Sequence, residues 1–150
     1  MRRLRKFWGL PRAERMLLVK SWLLLGAIGL GLSVLPFGVM RRLLEKGARE
    51  RALRPPVDDA TSKKVVWAVT AASRYVPRGG TCLTRALAVR HLLARRGTWT
   101  NLRIGVMKEG KDASLGAHAW VEHEGRILIG DLDDLSRYTP MPPLLEKDER

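Results

Sequence analysis

The spacing of apolar residues changes period near the middle of the chain. Over residues 63–76 and 82–96 apolar positions recur every three or four residues, which predicts two helices. Residues 102–106 instead alternate between apolar and polar or small side chains, and residues 117–122 and 126–131 are two more predicted strands. Helices followed by strands with short connections indicate an α+β domain with an antiparallel sheet.

The predicted segments are separated by residues that favour turns. Pro77 ends the first of these helices, and Gly97 stands where a helix commonly ends in a left-handed residue. Glu124 and Gly125 predict a two-residue hairpin turn between the last two strands. Residues 108–116 are predicted to form a polar loop, and the tail with its prolines shows no regular pattern.

A long apolar stretch precedes these elements. Residues 22–39 contain no charged side chain, and this length only just suffices to span a bilayer. Three interpretations stay open: a segment within residues 16–40 that spans or lies on a membrane, two shorter helices packed on the domain or a partner, and a cleaved signal peptide. Several glycines and Pro36 argue against one straight helix, and no small-residue cleavage site follows the stretch.

Charge divides the chain into two parts. Residues 1–56 contain 13 Lys and Arg against 3 Asp and Glu, and residues 57–150 contain 15 against 12. Residues 41–54 predict a charged helix and residues 55–62 a linker, so we place a domain boundary after residue 56. The basic, apolar N-terminal extension is expected to dock on a protein partner or on anionic lipid. Nucleic acid is not an expected partner, because no aromatic residues are interleaved with the basic ones for base stacking.

The only cysteine, Cys82, excludes an intramolecular disulfide and is typical of a protein of the reducing cytoplasm. Gly79 and Gly80 form a turn before it, and Thr81 is expected to cap a helix that begins at Cys82. In this first turn the thiol lies at the positive end of the helix dipole and near Arg85, and both favour the reactive thiolate. A buried structural cysteine is the competing interpretation.

The predicted hairpin supplies a partner for one histidine. With a two-residue turn, His118 would lie directly opposite Asp131, within reach of a hydrogen bond between imidazole and carboxylate. His91 lies on the opposite side of the cysteine helix, and His123 lies on the other face of its strand. Only His118 is therefore expected to serve Cys82 as a base, with Asp131 as the acid that orients it.

Five segments of the sequence carry a family resemblance: residues 82–87 (CLTRAL), 102–106 (LRIGV) and 117–122 (AHAWVE), then Gly130-Asp131 and Tyr138-Thr139-Pro140. Together they resemble the transglutaminase-like leader peptidases of lasso-peptide biosynthesis, which are bacterial cysteine proteases. The resemblance covers residues 63–143 and implies a papain/transglutaminase core that removes the leader from a ribosomally made precursor peptide. The family's Cys-His-Asp triad falls on Cys82, His118 and Asp131, the residues that the hairpin argument selects.

The resemblance also implies partners. Fused members carry a winged-helix leader-recognition domain at the N-terminus, and residues 1–60 show no strand-rich segment of that kind. We therefore expect the split form, with a separate leader-recognition protein and a lasso cyclase. No cofactor or metal is expected, because one cysteine and one well-placed histidine make a poor ligand set.

The oxyanion donors and the reaction type stay open. The chain has no glutamine, the side-chain oxyanion donor of papain-like enzymes. The backbone N–H of Cys82 is the expected donor, with the indole N–H of Trp67 as a second candidate. Two alternative functions also remain: a non-catalytic peptide-binding scaffold attached to a membrane or partner, and a thiol acyltransferase that passes the acyl group to an amine.

Overall fold

The computed structural model describes residues 7–49, 55–77, 80–109 and 114–142. Within these residues four helices precede the sheet: α1 (Arg12–Val34), α2 (Phe37–Arg49), α3 (Asp59–Ser73) and α4 (Cys82–Ala94). The strands are β1 (Asn101–Glu109), β2 (Ser114–His123), β3 (Arg126–Ile129) and β4 (Thr139–Pro140), with a 3-10 turn at Leu135–Arg137. The sheet is antiparallel with the order β3-β2-β1-β4, which confirms the predicted α+β class.

α1 runs through the apolar stretch as a single helix. Its inner side packs on α3 and α4, where Leu25 and Ile28 are fully buried. The helix ends at Val34, and Pro36 separates it from α2. The expectation that the glycines would prevent one helix is therefore wrong, while packing on the domain agrees with the second interpretation. By length and composition α1 is also long and apolar enough to cross a membrane.

The buried core lies between the helices and one face of the sheet. It joins Leu25, Ile28 and Met40 of α1 and α2 to residues of α3, α4 and β2, among them Val65, Val69, Leu87, Leu93, Ala119 and Val121. The N-terminal extension and the remainder of the chain thus share one core. The boundary placed after residue 56 stays a prediction.

α3 begins earlier than the sequence pattern indicated. The carboxylate of Asp58 accepts a hydrogen bond of 3.0 Å from the backbone N–H of Thr61, and the helix starts at Asp59. Hydrogen bonds from Thr61 hold the pKa of Asp58 below its ordinary value. The predicted linker over residues 55–62 is therefore wrong for its last four residues, because an aspartate cap places them in the helix.

α4 begins at Cys82 as predicted and ends at Ala94, two residues before the predicted end. Thr81 is the N-cap, and its hydroxyl accepts a hydrogen bond of 3.2 Å from the backbone N–H of Thr84. Gly97 has a φ of 84°, and its N–H donates to the carbonyl of Ala94. The cap fixes Cys82 as the first residue of the helix.

The sheet is larger than predicted. β1 and β2 extend into residues 108–116, so the predicted loop is wrong at both of its ends, while residues 110–113 lie outside the described part of the chain. The tail was expected to be irregular, yet Thr139 pairs with Val106 and Pro140 with Gly105. Proline is tolerated here because β4 is an edge strand.

Candidate active site

The hairpin of β2 and β3 decides which residues reach His118. Its two-residue turn is confirmed: Glu124 and Gly125 have φ values of 49° and 75°, and His123 pairs with Arg126. Two residues further along, the register changes at a bulge. The pairing next to the turn is therefore as predicted, whereas the pairing beyond the bulge, where Asp131 was expected to face His118, is not.

The bulge corrects the predicted pairing of His118 with Asp131. Val121 pairs with Ile129, whereas the register set by the turn would pair it with Leu128. One extra residue on β3 therefore shifts the ladder, and the strand ends at Ile129, before Asp131 is reached. Asp131 is exposed and does not lie opposite His118 in the sheet.

A backbone carbonyl holds His118 instead. The Nε2 atom of His118 lies 2.7 Å from the carbonyl oxygen of Gly130. Because a carbonyl only accepts, Nε2 is the donor, and the neutral ring then carries its lone pair on Nδ1. His118 is buried, with 9% of its surface exposed. The arrangement presents Nδ1 as the atom that can take a proton.

Gly130 is the residue that permits this contact. Its φ is 88°, in the left-handed region, and a Cβ there would lie 2.7 Å from the carbonyl oxygen of Ala119 and 2.8 Å from the Cβ of Trp120. Any side chain at this position would push the backbone away from β2. The hydrogen bond to His118 therefore depends on glycine for both conformation and space.

Two aromatic rings enclose the imidazole. The ring of Trp120 stacks with that of His118 at a centroid distance of 6.2 Å, and the ring of Tyr138 lies 5.5 Å from it at an angle of 51°. Gly105, the partner of His118 on β1, leaves room for them, since a Cβ there would lie 2.9 Å from both the Trp120 ring and the Tyr138 Cβ.

Trp120 is itself anchored by charge. Its indole N–H donates to Glu122 Oε1 at 2.7 Å, and Glu122 Oε2 lies 3.3 Å from Nε of Arg103. His118, Trp120 and Glu122 alternate along β2 and so share one face of the sheet. Sequence analysis assigned no role to Tyr138, Trp120 or Gly105, although all three lie within the motifs that carry the family resemblance.

Cys82 lies at the start of the neighbouring element. Its side chain is half-buried and packs against the buried core cluster. As the first helical residue, Cys82 has no intrahelical acceptor for its backbone N–H. The Nε atom of Arg85, one turn further on, is buried and has no hydrogen-bond partner among the described residues. The first turn of α4 thus contains an N–H donor that no described residue uses.

The structure brings α4 and β2 together without a direct bond between the two predicted reactive groups. Within the residues described, no hydrogen bond joins Cys82 to His118. Hydrogen bonds between catalytic groups are often long before substrate binds, so the pair stays a prediction. Residues 78 and 79, which precede the cysteine, lie outside the described ranges.

The second oxyanion candidate lies elsewhere. Trp67 is on α3 and lines a groove between α3 and β3, and the described lining of this groove includes neither Cys82 nor His118. The other two histidines also have separate partners: Nδ1 of His91 bonds the carbonyl of Leu44, and Nδ1 of His123 bonds that of Trp99. In the ranges that the structure describes, no cluster of three or more His, Cys, Asp or Glu is placed to hold a metal ion.

Comparison with known proteins agrees with this fold. The family model of the transglutaminase-like superfamily matches residues 24–142, which include the C-terminal part of α1, the other three helices, all four strands and the predicted triad. Searches of curated proteins and of solved structures found no match. The family match covers well over half of the chain and coincides with the helices and sheet that place Cys82 and His118. The chain therefore belongs to the transglutaminase-like superfamily.

Proposed function

We propose that the protein is a cysteine peptidase that removes the leader from a lasso-peptide precursor. The observation that supports it most directly is the hydrogen bond from His118 Nε2 to the Gly130 carbonyl, because it leaves Nδ1 available as a base. Superfamily membership is consistent with thiol peptidases and acyltransferases. The motifs around Cys82 and His118, which resemble lasso leader peptidases, support the more specific assignment.

The proposed reaction uses the thiol as nucleophile. Cys82 Sγ attacks the carbonyl carbon of the scissile peptide bond while His118 Nδ1 takes the thiol proton. The protonated imidazole then gives that proton to the leaving amine, and the acyl group remains on sulfur as a thioester. Water, deprotonated by the same nitrogen, attacks the thioester and regenerates the thiol.

The developing oxyanion needs a donor. The backbone N–H of Cys82 is proposed for this role, because the first N–H groups of a helix lack intrahelical acceptors and point out of its end. Leu83, the second residue of α4, offers a further N–H of the same kind. Trp67 is left out of the mechanism, because the described lining of its groove does not include Cys82.

The role of the third member of the triad, which orients and stabilises the histidine, is divided between two adjacent residues. The carbonyl of Gly130 orients the imidazole by accepting its Nε2–H. We assign to Asp131, the next residue, the electrostatic stabilisation of the imidazolium that forms during attack. An exposed carboxylate next to the hydrogen-bonding carbonyl suits this supporting role, and its removal should cost less than loss of the orienting bond.

The outer face of α1 is proposed to lie on an anionic membrane surface at the cytoplasmic side. Large apolar side chains occupy it along its length: Met16, Val19, Leu23, Leu30 and Val34 are all exposed. These positions share one helical face, opposite Leu25 and Ile28. Arg12 and Lys20 are exposed on the same helix, and residues 1–56 have an excess of ten positive charges, which complements anionic lipid.

The resemblance to the split leader peptidases supports two protein partners. We propose that a separate leader-recognition protein delivers the precursor peptide and that a lasso cyclase receives the core peptide. The first test is the mass of a precursor peptide after incubation with the protein, with and without the leader-recognition protein.

Two fragments with wild type and none with Cys82→Ala would support the peptidase. A product of higher mass, formed only when an amine is added, would favour acyl transfer. An intact peptide that stays bound to both variants would replace the peptidase with a binding scaffold.

A further inference from the structure

A groove of about 460 Å³ runs between α3 and the free edge of β3. On the helix side, the lining residues recur every three or four positions from Ser62 to Arg74, so they form one face of α3 that is about 18 Å long. Its wall on the strand consists of Arg126, Ile127 and Leu128. Consecutive side chains of a strand point to opposite sides of the sheet, so a groove on one face would not be lined by three consecutive residues. We infer that the groove follows the edge of β3.

Among the described residues, the backbone along this edge has hydrogen-bonding groups without a strand partner. β3 is the outermost strand of the sheet, with β2 on its inner side. His123 and Arg126 flank the two-residue turn and so bond to each other, which directs the N–H and carbonyl of Ile127 away from β2 and into the groove. An extended peptide of about five residues matches the length of the helix wall and could pair with these groups.

The side chains of the groove select the character of such a peptide. The apolar residues of the lining are Val66 on α3 and Ile127 and Leu128 on β3, and Trp67 lies beside Val66 with 43% of its surface exposed. Large aromatic side chains that are half-exposed in a groove are typical anchors for a bound chain. The groove therefore favours a peptide that carries apolar side chains.

The charges of the groove are mainly positive. Lys63, Arg74 and Arg126 line it against one acid, Asp59. Asp59 is engaged with two of these cations, at 2.8 Å from Nζ of Lys63 and 3.9 Å from Nη2 of Arg126, and the hydrogen bond from Lys63 lowers its pKa. Arg74 has no ion pair among the described residues, and it stands at the far end of the helix wall. An acidic ligand complements this distribution.

We propose that this groove binds an acidic, extended peptide segment by adding it as a strand beside β3. The identification of that segment with part of the peptide substrate rests on the proposed function, whereas binding itself does not. Neither Cys82 nor His118 lines the groove, so a segment held here would let the protein select substrates by residues other than those at the cleaved bond.

The test is fluorescence polarisation with the full chain carrying Cys82→Ala, which cannot cleave by the proposed mechanism. The probe is a fluorescein-labelled ten-residue peptide of alternating glutamate and valine. One comparison peptide replaces glutamate by lysine, and another carries N-methyl groups on alternate residues, which removes strand hydrogen bonds. We expect the first peptide to bind and each comparison peptide to bind at least about tenfold more weakly.

Two variants and two matched controls locate the binding. Trp67→Ala and Arg74→Glu should each weaken binding about tenfold. Trp99→Ala removes a tryptophan of similar exposure (45%) outside the groove, and Arg42→Glu makes the same charge change on α2; both should bind within about twofold of the parent. Circular dichroism of each variant checks that the fold is retained.

Binding of the lysine peptide as strongly as the acidic one, or equal losses in the controls, would overturn the proposal, as would no binding at all. Cleavage assays with chains that retain Cys82 separate the peptide-binding proposal from the proposed peptidase function. If the acidic peptide binds but no precursor is cleaved, the peptidase function is contradicted and the binding proposal is not. If Trp67→Ala and Arg74→Glu leave precursor cleavage unchanged, the role of the groove in substrate selection is contradicted.

Discussion

The Nε2 atom of His118 donates a hydrogen bond of 2.7 Å to the backbone carbonyl of Gly130, across the bulged end of the β2–β3 hairpin. A backbone acceptor orients the ring through the path of the main chain rather than through a flexible side chain. The orientation of the imidazole is consequently tied to the bulge and to the left-handed conformation of Gly130. Substitutions that move the main chain here should act on catalysis before they act on folding.

Gly130→Ala should separate these effects. The added Cβ would meet the Ala119 carbonyl at 2.7 Å, so the backbone shifts and His118 loses its acceptor. We expect kcat/KM for precursor cleavage to fall by about 100-fold or more. Gly125→Ala is the matched control, because its φ is 75° but nothing lies within 4 Å of its Cβ. It should cost about 1 kcal/mol of stability and leave kcat/KM nearly unchanged. Equal losses of activity in the two variants would contradict the orienting role.

Asp131→Asn removes the charge proposed to stabilise the imidazolium. We expect kcat to fall about tenfold, since general acid–base assistance is weakened but the Gly130 carbonyl still orients the ring. Steady-state kinetics measure kcat, and a thermal melt of the same preparation checks that the fold is retained. A wild-type rate would transfer the role to Asp133 or Asp134, and a loss as large as that of Gly130→Ala would give the carboxylate the orienting role instead.

Thr81→Ala should loosen the helix that presents Cys82. The Thr81 hydroxyl accepts from the backbone N–H of Thr84 at 3.2 Å and also lies 2.7 Å from the Thr84 hydroxyl. Loss of this cap should reduce the free energy of unfolding by about 1 kcal/mol, measured by urea denaturation. Thr81→Ser keeps the oxygen and should retain most of that stability. If both variants were equally destabilised, methyl packing rather than capping would be the cause.

His91 should make stability depend on pH. Burial lowers the pKa of His91, with a further lowering by Arg95, against a hydrogen bond to the Leu44 carbonyl that raises it. Since the folded pKa is below the unfolded one, the unfolded chain binds more protons as pH falls through about 6.5, and the free energy of unfolding decreases there. His91→Asn places an amide N–H near the position of Nδ1 and cannot titrate.

Urea denaturation of wild type and His91→Asn at several pH values between 7.5 and 5 measures this dependence. The wild-type chain should lose stability towards the lower pH, and His91→Asn should lose less. Parallel curves for the two proteins would assign the pH dependence to other groups.

Leu30→Glu tests the membrane surface of α1. Leu30 has 69% of its surface exposed, so a charge there should leave the core intact. Sedimentation with vesicles of mixed phosphatidylcholine and phosphatidylserine should show binding of the wild-type chain and about tenfold weaker binding of the variant. Leu132→Glu changes an exposed leucine outside α1 and should bind as wild type does. Wild-type binding by Leu30→Glu would exclude this face as the membrane contact.

Local signals predicted much of the fold. The cap at Thr81, the left-handed Gly97 and the turn at Glu124-Gly125 each follow from residues a few positions apart, and all three are present. The errors occur where distant segments decide the structure. β4 forms because the tail meets β1, and α1 stays helical across its glycines because its inner face is buried on α3 and α4. Apolar spacing along the chain does not contain this information.

The candidate site shows the same division. His118 could be chosen from the alternation of its strand, and it lies buried where β2 and β3 meet. Its acceptor could not be chosen, because one bulged residue changes every pairing beyond it. A main-chain carbonyl also leaves no signature in side-chain chemistry. Only Gly130 itself, directly after a strand, marked a position where the backbone turns sharply.

The most direct test of the central claim is the intact mass of the protein after an acid-quenched reaction with the precursor peptide. The mechanism predicts an adduct with the mass of the acyl fragment on Cys82, which hydroxylamine removes because it is a thioester. The adduct should be absent from Cys82→Ala, and His118→Ala should form it much more slowly. Cleavage of the precursor by Cys82→Ala at the wild-type rate, with no adduct in either protein, would contradict the account.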